Sequence, residues 1–220
     1  MNDKRINLLK SEKISKAINA MAAPAIIGKL VMAIYNVADS IFVSWLGGEY
    51  TGATQVVFPI MLIASSIGLS FGIGGGSYIS RLLGKNNQDE ANNVATVSFI
   101  TGLLIGIVIT ILNLLFLEPI LAFFGADDSV MGLAKEYGKY IIIGYAFTIL
   151  NMVLNNTLRS EGSAKYSMIG MGLGSILNII LDPIFIFVFD WGIQGAAIAT
   201  TLSQIISFMI LFSVYLRKKS

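Results

Sequence analysis

Long apolar stretches separated by short polar segments dominate the chain. They predict six helices, at about residues 17–46, 53–80, 94–116, 132–158, 165–189 and 194–216. Each is around 20 residues or longer, which is the length needed to cross a bilayer core about 30 Å thick at about 1.5 Å per residue. The stretches are continuously apolar and do not alternate as barrel strands do. The pattern predicts an all-α polytopic membrane protein, and the six helices are called spans 1 to 6 below.

The segments between the spans contain turn-forming and charged residues, as loops do. They read GGEYTG, GKNNQDEANN, EPILAFFGADDS, SEGSAK and DWGI. We therefore divide the chain into a polar N-terminal segment at 1–16, a six-helix transmembrane lobe at 17–216 and a basic tail at 217–220. Only 13% of the residues are charged, about half of the roughly 25% typical of soluble domains, which supports a membrane location.

Basic residues cluster at the ends of the spans that share one side of the membrane. The acidic residues of the opposite loops are Glu49, Glu118, Asp127, Asp128 and Asp190, with Lys135 and Lys139 as basic exceptions. By the positive-inside rule, we expect a cell-membrane protein with both termini in the cytoplasm. The basic residues on the predicted cytoplasmic side are Lys4, Arg5, Lys10, Lys13, Lys16, Arg81, Lys85, Arg159, Lys165, Arg217, Lys218 and Lys219.

The composition argues against several classes of function. The chain contains neither cysteine nor histidine, which removes disulfides, Cys-based metal sites and the commonest general base. No nucleophile–base pair is recognisable, so we do not predict an enzyme, and no cofactor is expected beyond a coupling ion. The net charge of +2, without a basic patch interleaved with aromatic residues, gives no reason to expect nucleic acid. The segment FGIGGGS lacks the lysine and the preceding strand of an ATP-binding loop.

Three polar side chains on three spans share one predicted depth in the membrane. Asp39 lies about seven residues before the end of span 1, Asp182 about seven before the end of span 5, and Thr200 about six after the start of span 6. A carboxylate inside a span costs at least about 2.5–3.5 kcal/mol, so it should face a cavity or a partner. Asn178 lies one turn from Asp182 on the same face, and Asn36 precedes Asp39 by three residues.

These oxygens would form a pocket of hard ligands, which suits Na+ or a proton and not a soft metal. Two facing acids would hold one proton at neutral pH, and a bound cation could replace it. The alternative is that Asp182 and Asn178 only hydrogen-bond within the helix packing. Thr200 could equally bond back to its own helix, and Asp39 could reach the membrane surface.

Proline and lysine residues add to this picture. Pro183 lacks an N–H, which leaves the carbonyl of Ile179 without its helical partner and disfavours helical geometry at Asp182. We expect a freed carbonyl and a local bend there, unless a neighbouring helix satisfies an ordinary proline kink. Lys29 either extends to the cytoplasmic surface, which we favour, or neutralises a carboxylate in the cavity.

Glycines repeat every four residues on two spans, at Gly68, Gly72 and Gly76 on span 2 and at Gly170 and Gly174 on span 5. Rows of small residues allow helices to approach closely in lipid. We therefore predict close helix packing along both rows.

Four stretches together resemble the multidrug and toxic compound extrusion (MATE) family, and its bacterial multidrug-exporter branch in particular. They read PAIIGKLVMAIYNVADSIFVSWLG, GIGGGSYISRLLGKNNQDEA, RSEGSAKYSMIGMGLGSILNIILDPIFIF and GIQGAAIATTLSQ. The resemblance implies an antiporter that exchanges Na+ or H+ for organic, often cationic, compounds. It also implies that Asp39, Asn178, Asp182 and Thr200 bind the cation and that Pro24 bends span 1. Either Tyr137 or Tyr140 would match a cavity tyrosine of the family.

The resemblance covers only the N-terminal lobe of a family whose members have two six-helix lobes. A second lobe would have to come from a missing C-terminal half or from a homodimer mate, because alternating access needs two lobes. Two alternatives stay open. One is a flippase for lipid-linked precursors, for which Lys29 alone would supply little phosphate-binding charge, and the other is a non-transporting fragment.

Overall fold

The computed structural model describes residues 14–217, and side chains from residue 22 onward. The predicted N-terminal segment and most of the basic tail therefore lie outside the described residues. The same holds for the side chains of the basic residues Lys4, Arg5, Lys10, Lys13, Lys16, Lys218 and Lys219, which entered the prediction of orientation.

The described chain is helical and contains no strand. Its elements are α1 (Ile14–Ser44), α2 (Gly48–Gly84), α3 (Gln88–Leu115), α4 (Leu117–Phe123), α5 (Met131–Ile143), α6 (Tyr145–Ser160), α7 (Ala164–Pro183), a π-helix (Ile184–Val188) and α8 (Gly192–Arg217). Five of the helices, counting α7 with its π-helix, are long and apolar enough to cross a membrane, and the bent pair α5–α6 makes a sixth span. The all-α membrane fold is confirmed. Spans 1 to 6 correspond to α1, α2, α3, α5–α6, α7 with the π-helix, and α8.

Span 4 is not the continuous helix that we predicted from 132 to 158. It breaks at Gly144, and its two halves meet at an angle of 46°. Hydroxyl groups of neighbouring spans donate hydrogen bonds to backbone carbonyls next to the break. Thr201 Oγ1 donates to the Tyr140 carbonyl at 2.9 Å, and Thr110 Oγ1 donates to the Ile142 carbonyl at 3.3 Å. A broken helix inside a membrane is tolerated where neighbouring side chains satisfy its backbone in this way.

The segment after span 3 is also more regular than predicted. We assigned EPILAFFGADDS to a loop, yet residues Leu117–Phe123 form a short helix. Leu121 on this helix is completely buried, whereas Phe123 is 82% exposed. A single turn or two of helix has too few positions for its periodicity to stand out in an apolar sequence, which explains the wrong assignment.

Span 3 begins earlier than predicted because of a helix cap. The Asn87 side chain accepts a hydrogen bond from the Glu90 N–H at 3.3 Å, and Asn87 Nδ2 donates to Glu90 Oε2 at 2.8 Å. The first bond satisfies one of the free backbone donors at the helix start, and the second, between the two side chains, holds the cap in place. The helix therefore starts at Gln88, in a stretch that its polarity assigned to a loop.

The glycine rows form close helix contacts. A Cβ atom on Gly72 would lie 2.8 Å from the carbonyl oxygen of Met152, and one on Gly68 would lie 3.0 Å from the Cα of Ile149. A Cβ on Gly174 would lie 2.8 Å from the Cβ of Ser207. Spans 2 and 4, and spans 5 and 6, thus touch along their backbones, as the spacing predicted.

The helix type at the end of span 5 changes after Pro183. Helical geometry continues through Asp182 and Pro183, although the proline disfavours it at Asp182, and the following five residues form a π-helix. The bend expected at Pro183 stays a prediction. A π-turn carries one extra residue, which is a way to continue a helix past a missing donor, and such turns occur frequently at functional sites. The π-helix packs on span 6, where a Cβ on Gly195 would lie 2.6 Å from the Phe185 carbonyl carbon.

Candidate cation site

Three of the predicted site residues are joined by hydrogen bonds inside the lobe. Asn178 Nδ2 donates to Asp182 Oδ1 at 2.9 Å and to Thr200 Oγ1 at 3.2 Å. Asp182 is completely buried, and Asn178 and Thr200 are 2% and 8% exposed. One turn of span 5 separates Asn178 from Asp182, so both lie on one face of that helix. The hydrogen bonds bring together three residues that the sequence predicted at one depth.

Asp39 of span 1 completes the cluster. Its carboxyl group lies within hydrogen-bonding range of the Asp182 carboxyl group. Asp39 Oδ1 and Asp182 Oδ2 are shielded from the surface and have no hydrogen-bond partner among the described residues. Two facing carboxylates repel each other unless a proton or another cation lies with them. The geometry is therefore suited to binding one small positive charge.

Two tyrosines surround the acid pair. Tyr137 of span 4 is 3% exposed and lies near Asp39, Asp182 and Tyr35. Of the two tyrosines that the resemblance left open, Tyr137 is the one buried beside the acids. Tyr140 is half-buried, and its carbonyl accepts the hydrogen bond of Thr201.

Sequence reasoning missed Tyr35 of span 1. It lies near both Asp39 and Asp182. The signal was present, because Tyr35 precedes Asp39 by four residues and so shares its helix face. Tyrosine is common at membrane depth for other reasons, which made this signal easy to overlook.

Two small cavities adjoin the cluster. The first has a volume of about 40 Å³ and lies between spans 1, 4, 5 and 6, and the second has about 60 Å³ and lies at the break of span 4. Both are lined by Met32, Tyr35, Met152, Thr200 and Gln204. A cavity needs at least about 10–15 Å³ to hold one water molecule, so each of the two has room for water or a small ion.

Asn151 of span 4 and Gln204 of span 6 belong to the first cavity and were not predicted. Asn151 Nδ2 donates to the Gln204 carbonyl at 2.9 Å and to Gln204 Oε1 at 2.7 Å. The spacing of four between Thr200 and Gln204 could have identified Gln204. Asn155, four residues after Asn151, lines the same cavity, but the hydrogen bonds of Asn151 go to another span and could not be read from the sequence.

Other predicted residues lie away from the acid pair. Lys29 and Asn36 are exposed on span 1 and line neither cavity. Pro24 is half-buried within the continuous helix α1. The bending role of Pro24 and the surface-reaching role of Lys29 stay predictions.

The chain is similar to known membrane exporters over almost its whole length. A sequence model of the MatE family matches residues 24–184. The multidrug export protein MepA of Staphylococcus saprophyticus is 33% identical over 99% of this chain, which covers 49% of that protein. The chain spans about half the length of the curated relatives it matches.

Solved structures agree with this similarity. An outward-facing multidrug resistance MATE family transporter of the MOP superfamily superposes with a TM-score of 0.89 and 38% identity, over 99% of this chain and 48% of that one. A MATE protein in the straight conformation superposes with a TM-score of 0.92 and 36% identity, over 99% and 48%.

Proposed function

Since the chain belongs to the MatE family, we propose that it forms one lobe of a secondary exporter that couples the movement of Na+ or H+ to the export of organic compounds. The observation that supports this most directly is the buried cluster of Asp39, Asn178, Asp182 and Thr200. The two acids come from different spans, are shielded from the surface and have no basic partner among the described residues. Their negative charge therefore calls for a small cation bound between them.

Binding of the cation would act mainly on span 1. Asp39 is the site residue on this span, whereas Asn178, Asp182 and Thr200 belong to spans 5 and 6, which pack closely on each other. A cation between the two carboxyl groups would hold span 1 against spans 5 and 6, and its departure would release that attraction. Pro24, which removes one backbone hydrogen bond inside the helix, is the position where we expect span 1 to bend in response.

As they stand, the two cavities have room for water or a small ion and are far below the roughly 300–1,000 Å³ of an organic-ligand pocket, so an organic substrate would enter only after span 1 moves or a second lobe adds to the space. Methionine side chains from spans 1, 2, 4 and 5 contribute to the cavity linings, and flexible thioethers adapt to ligands of different shapes. The described linings contain no lysine or arginine. A lipid-linked precursor with phosphate groups would need such charges, so the structure offers no observation that favours the flippase alternative.

Transport would require a second lobe, supplied by a C-terminal half or by another copy of this chain. Alternating access in transporters of this kind depends on two lobes that rock against each other around a central site. We further propose that both termini are cytoplasmic, from the clustering of Arg81, Lys85, Arg159, Lys165 and Arg217 at one set of span ends.

Cation binding by the purified protein is the first test, because it does not require a second lobe. We expect binding of radioactive ²²Na⁺, or uptake of protons if the coupling ion is H+, that disappears in the double variant Asp39→Asn and Asp182→Asn. The matched control is Asp128→Asn, an acid-to-amide change in an exposed loop. A double variant that binds the cation as the unmodified protein does would refute the site.

Transport itself is tested in liposomes that contain the chain in its native oligomeric form. A sodium or pH gradient should drive efflux of a fluorescent organic cation, and the double variant should reduce efflux to the rate of protein-free liposomes. Native mass spectrometry in mild detergent would show whether two copies associate. Gradient-driven efflux that survives both acid substitutions would exclude coupling at this site.

A further inference from the structure

Unpartnered oxygens beyond those of the acid pair line the first cavity, between spans 1, 4, 5 and 6. Besides Asp39 Oδ1 and Asp182 Oδ2, three neutral side chains have buried atoms without a hydrogen-bond partner among the described residues: Asn151 Oδ1, Asn178 Oδ1 and Ser203 Oγ. All three residues line this cavity of about 40 Å³. They are 5%, 2% and 4% exposed.

The orientation of the two amides follows from their donor groups. Asn178 Nδ2 is committed to Asp182 and Thr200, at 2.9 and 3.2 Å, so its oxygen is the atom left for the cavity. Asn151 Nδ2 is committed to the Gln204 carbonyl and Oε1, at 2.9 and 2.7 Å, and again its oxygen remains. Both amides thus present acceptors, not donors, to the same small space.

Buried acceptors of this kind need a donor or a cation, because burying a polar atom without a partner is costly. No side chain that lines the cavity carries a positive charge. The compensating group must therefore be water or a small cation.

We propose that this cavity is a second, neutral-oxygen station for the coupling cation, adjoining the acid pair and sharing Asn178 with it. This inference rests on the proposed function. Amide and hydroxyl oxygens are hard ligands suited to Na+, and the same oxygens would hold a protonated water chain if the ion is H+. Asn178 belongs to both sites, since its amide nitrogen donates to Asp182 and its side chain lines the same cavity as Asn151 and Ser203. A cation can then leave the acids without returning directly to bulk water.

The variant Ser203→Ala tests the station with the smallest change. It removes one oxygen from the cavity and leaves the acid pair and Asn178 unaltered. Ser207→Ala is the matched control, because Ser207 lines the same cavity on the same span, yet its hydroxyl already donates to the Gly170 carbonyl at 3.1 Å. A second variant, Asn151→Leu, removes a different oxygen at similar side-chain volume.

The measurement is the affinity of the purified full chain for ²²Na⁺, with proton uptake from weakly buffered solution as the arm for H+. We expect Ser203→Ala to weaken cation affinity about fivefold, the effect of one lost contact of hydrogen-bond strength. Ser207→Ala should bind as the unmodified protein does. Thermal unfolding in detergent confirms that each variant is folded, and Ser203→Ala carries the test alone if Asn151→Leu does not fold.

The outcomes separate this inference from the proposed function. Unchanged affinity in folded Ser203→Ala, together with loss of binding in the Asp39 and Asp182 double variant, would overturn the second station and leave the acid site standing. Unchanged binding in the double variant, or no binding of Na+ or H+ by the unmodified protein, would overturn both. Equal weakening in Ser203→Ala and Ser207→Ala would assign the effect to helix packing and likewise overturn the station.

Discussion

The contact between Gly195 of span 6 and the π-helix of span 5 leads to a prediction that can be worked out from distances. In Gly195→Ala, the new methyl group would lie 2.6 Å from the carbonyl carbon and oxygen of Phe185 and 3.0 Å from the nitrogen of Ile186. These are backbone atoms, which cannot rotate aside as a side chain can. Either the two spans separate or the π-helix shifts.

Overpacking of this kind costs about 1–3 kcal/mol. For a protein of this size, each kcal/mol lowers the melting temperature by about 2–4 °C, so Gly195→Ala should melt roughly 2–12 °C lower. The measurement is thermal unfolding in detergent, followed by circular dichroism and by the fluorescence of Trp45 and Trp191. Because Asp182 lies just before the π-helix, the variant should also bind the coupling cation more weakly.

Gly172→Ala on span 5 is the matched control. A Cβ atom at Gly172 would meet nothing within 4 Å, and alanine favours a helix over glycine. This variant should melt at or slightly above the temperature of the unmodified protein. The reasoning is refuted if both alanine variants melt at the same temperature, since the close approach at Gly195 would then have no energetic effect.

Two further predictions concern the break of span 4 and the loop before it. Thr201→Val removes the hydroxyl that donates to the Tyr140 carbonyl at 2.9 Å. It should cost about 0.5–1.5 kcal/mol, the net value of one hydrogen bond, because this carbonyl keeps the longer bond from the Gly144 N–H at 3.3 Å. Thr96→Val on an exposed helix face should change the melting temperature little, and equal effects would contradict the role assigned to Thr201. Hydrogen bonds from the Ser129 hydroxyl and the Val130 N–H lower the pKa of Asp127 below its ordinary value. The ionised Asp127 therefore stabilises the fold at pH values above its pKa in the unfolded chain, and this stabilisation is lost as the pH falls through its pKa in the folded protein. Asp127→Ala should therefore melt below the unmodified protein at neutral pH and approach it at strongly acidic pH, and a difference that persists there would argue against this ionisation.

Much of the architecture was predictable because the bilayer imposes it. Spans must be long and apolar, and the chain has few other ways to place such residues. The acids stood out for the same reason: a charge such as Asp182 in an apolar run needs an explanation, and its depth could be compared with those of Asp39 and Thr200. The hydrogen bonds of Asn178 to both neighbours agree with that comparison.

The features that were missed leave weak traces in sequence. An α-turn and a π-turn differ by one residue and have the same apolar composition, so the widening after Pro183 could not be distinguished from a bend. The break at Gly144 depends on hydroxyls from spans 3 and 6. Asn151 and Ser203 are neutral residues that occur in many spans, and only their convergence on one cavity with Asn178 gives them significance.

The glycine row of span 2 has a consequence for how the protein responds to its lipid surroundings. At Gly68 and Gly72 the backbones of spans 2 and 4 meet directly, which leaves no groove between them for an acyl chain. A change in bilayer thickness can tilt these two helices together but cannot wedge them apart. This side of the lobe should keep its shape from one membrane composition to another, and adaptation to the lipids falls to the outward-facing surfaces.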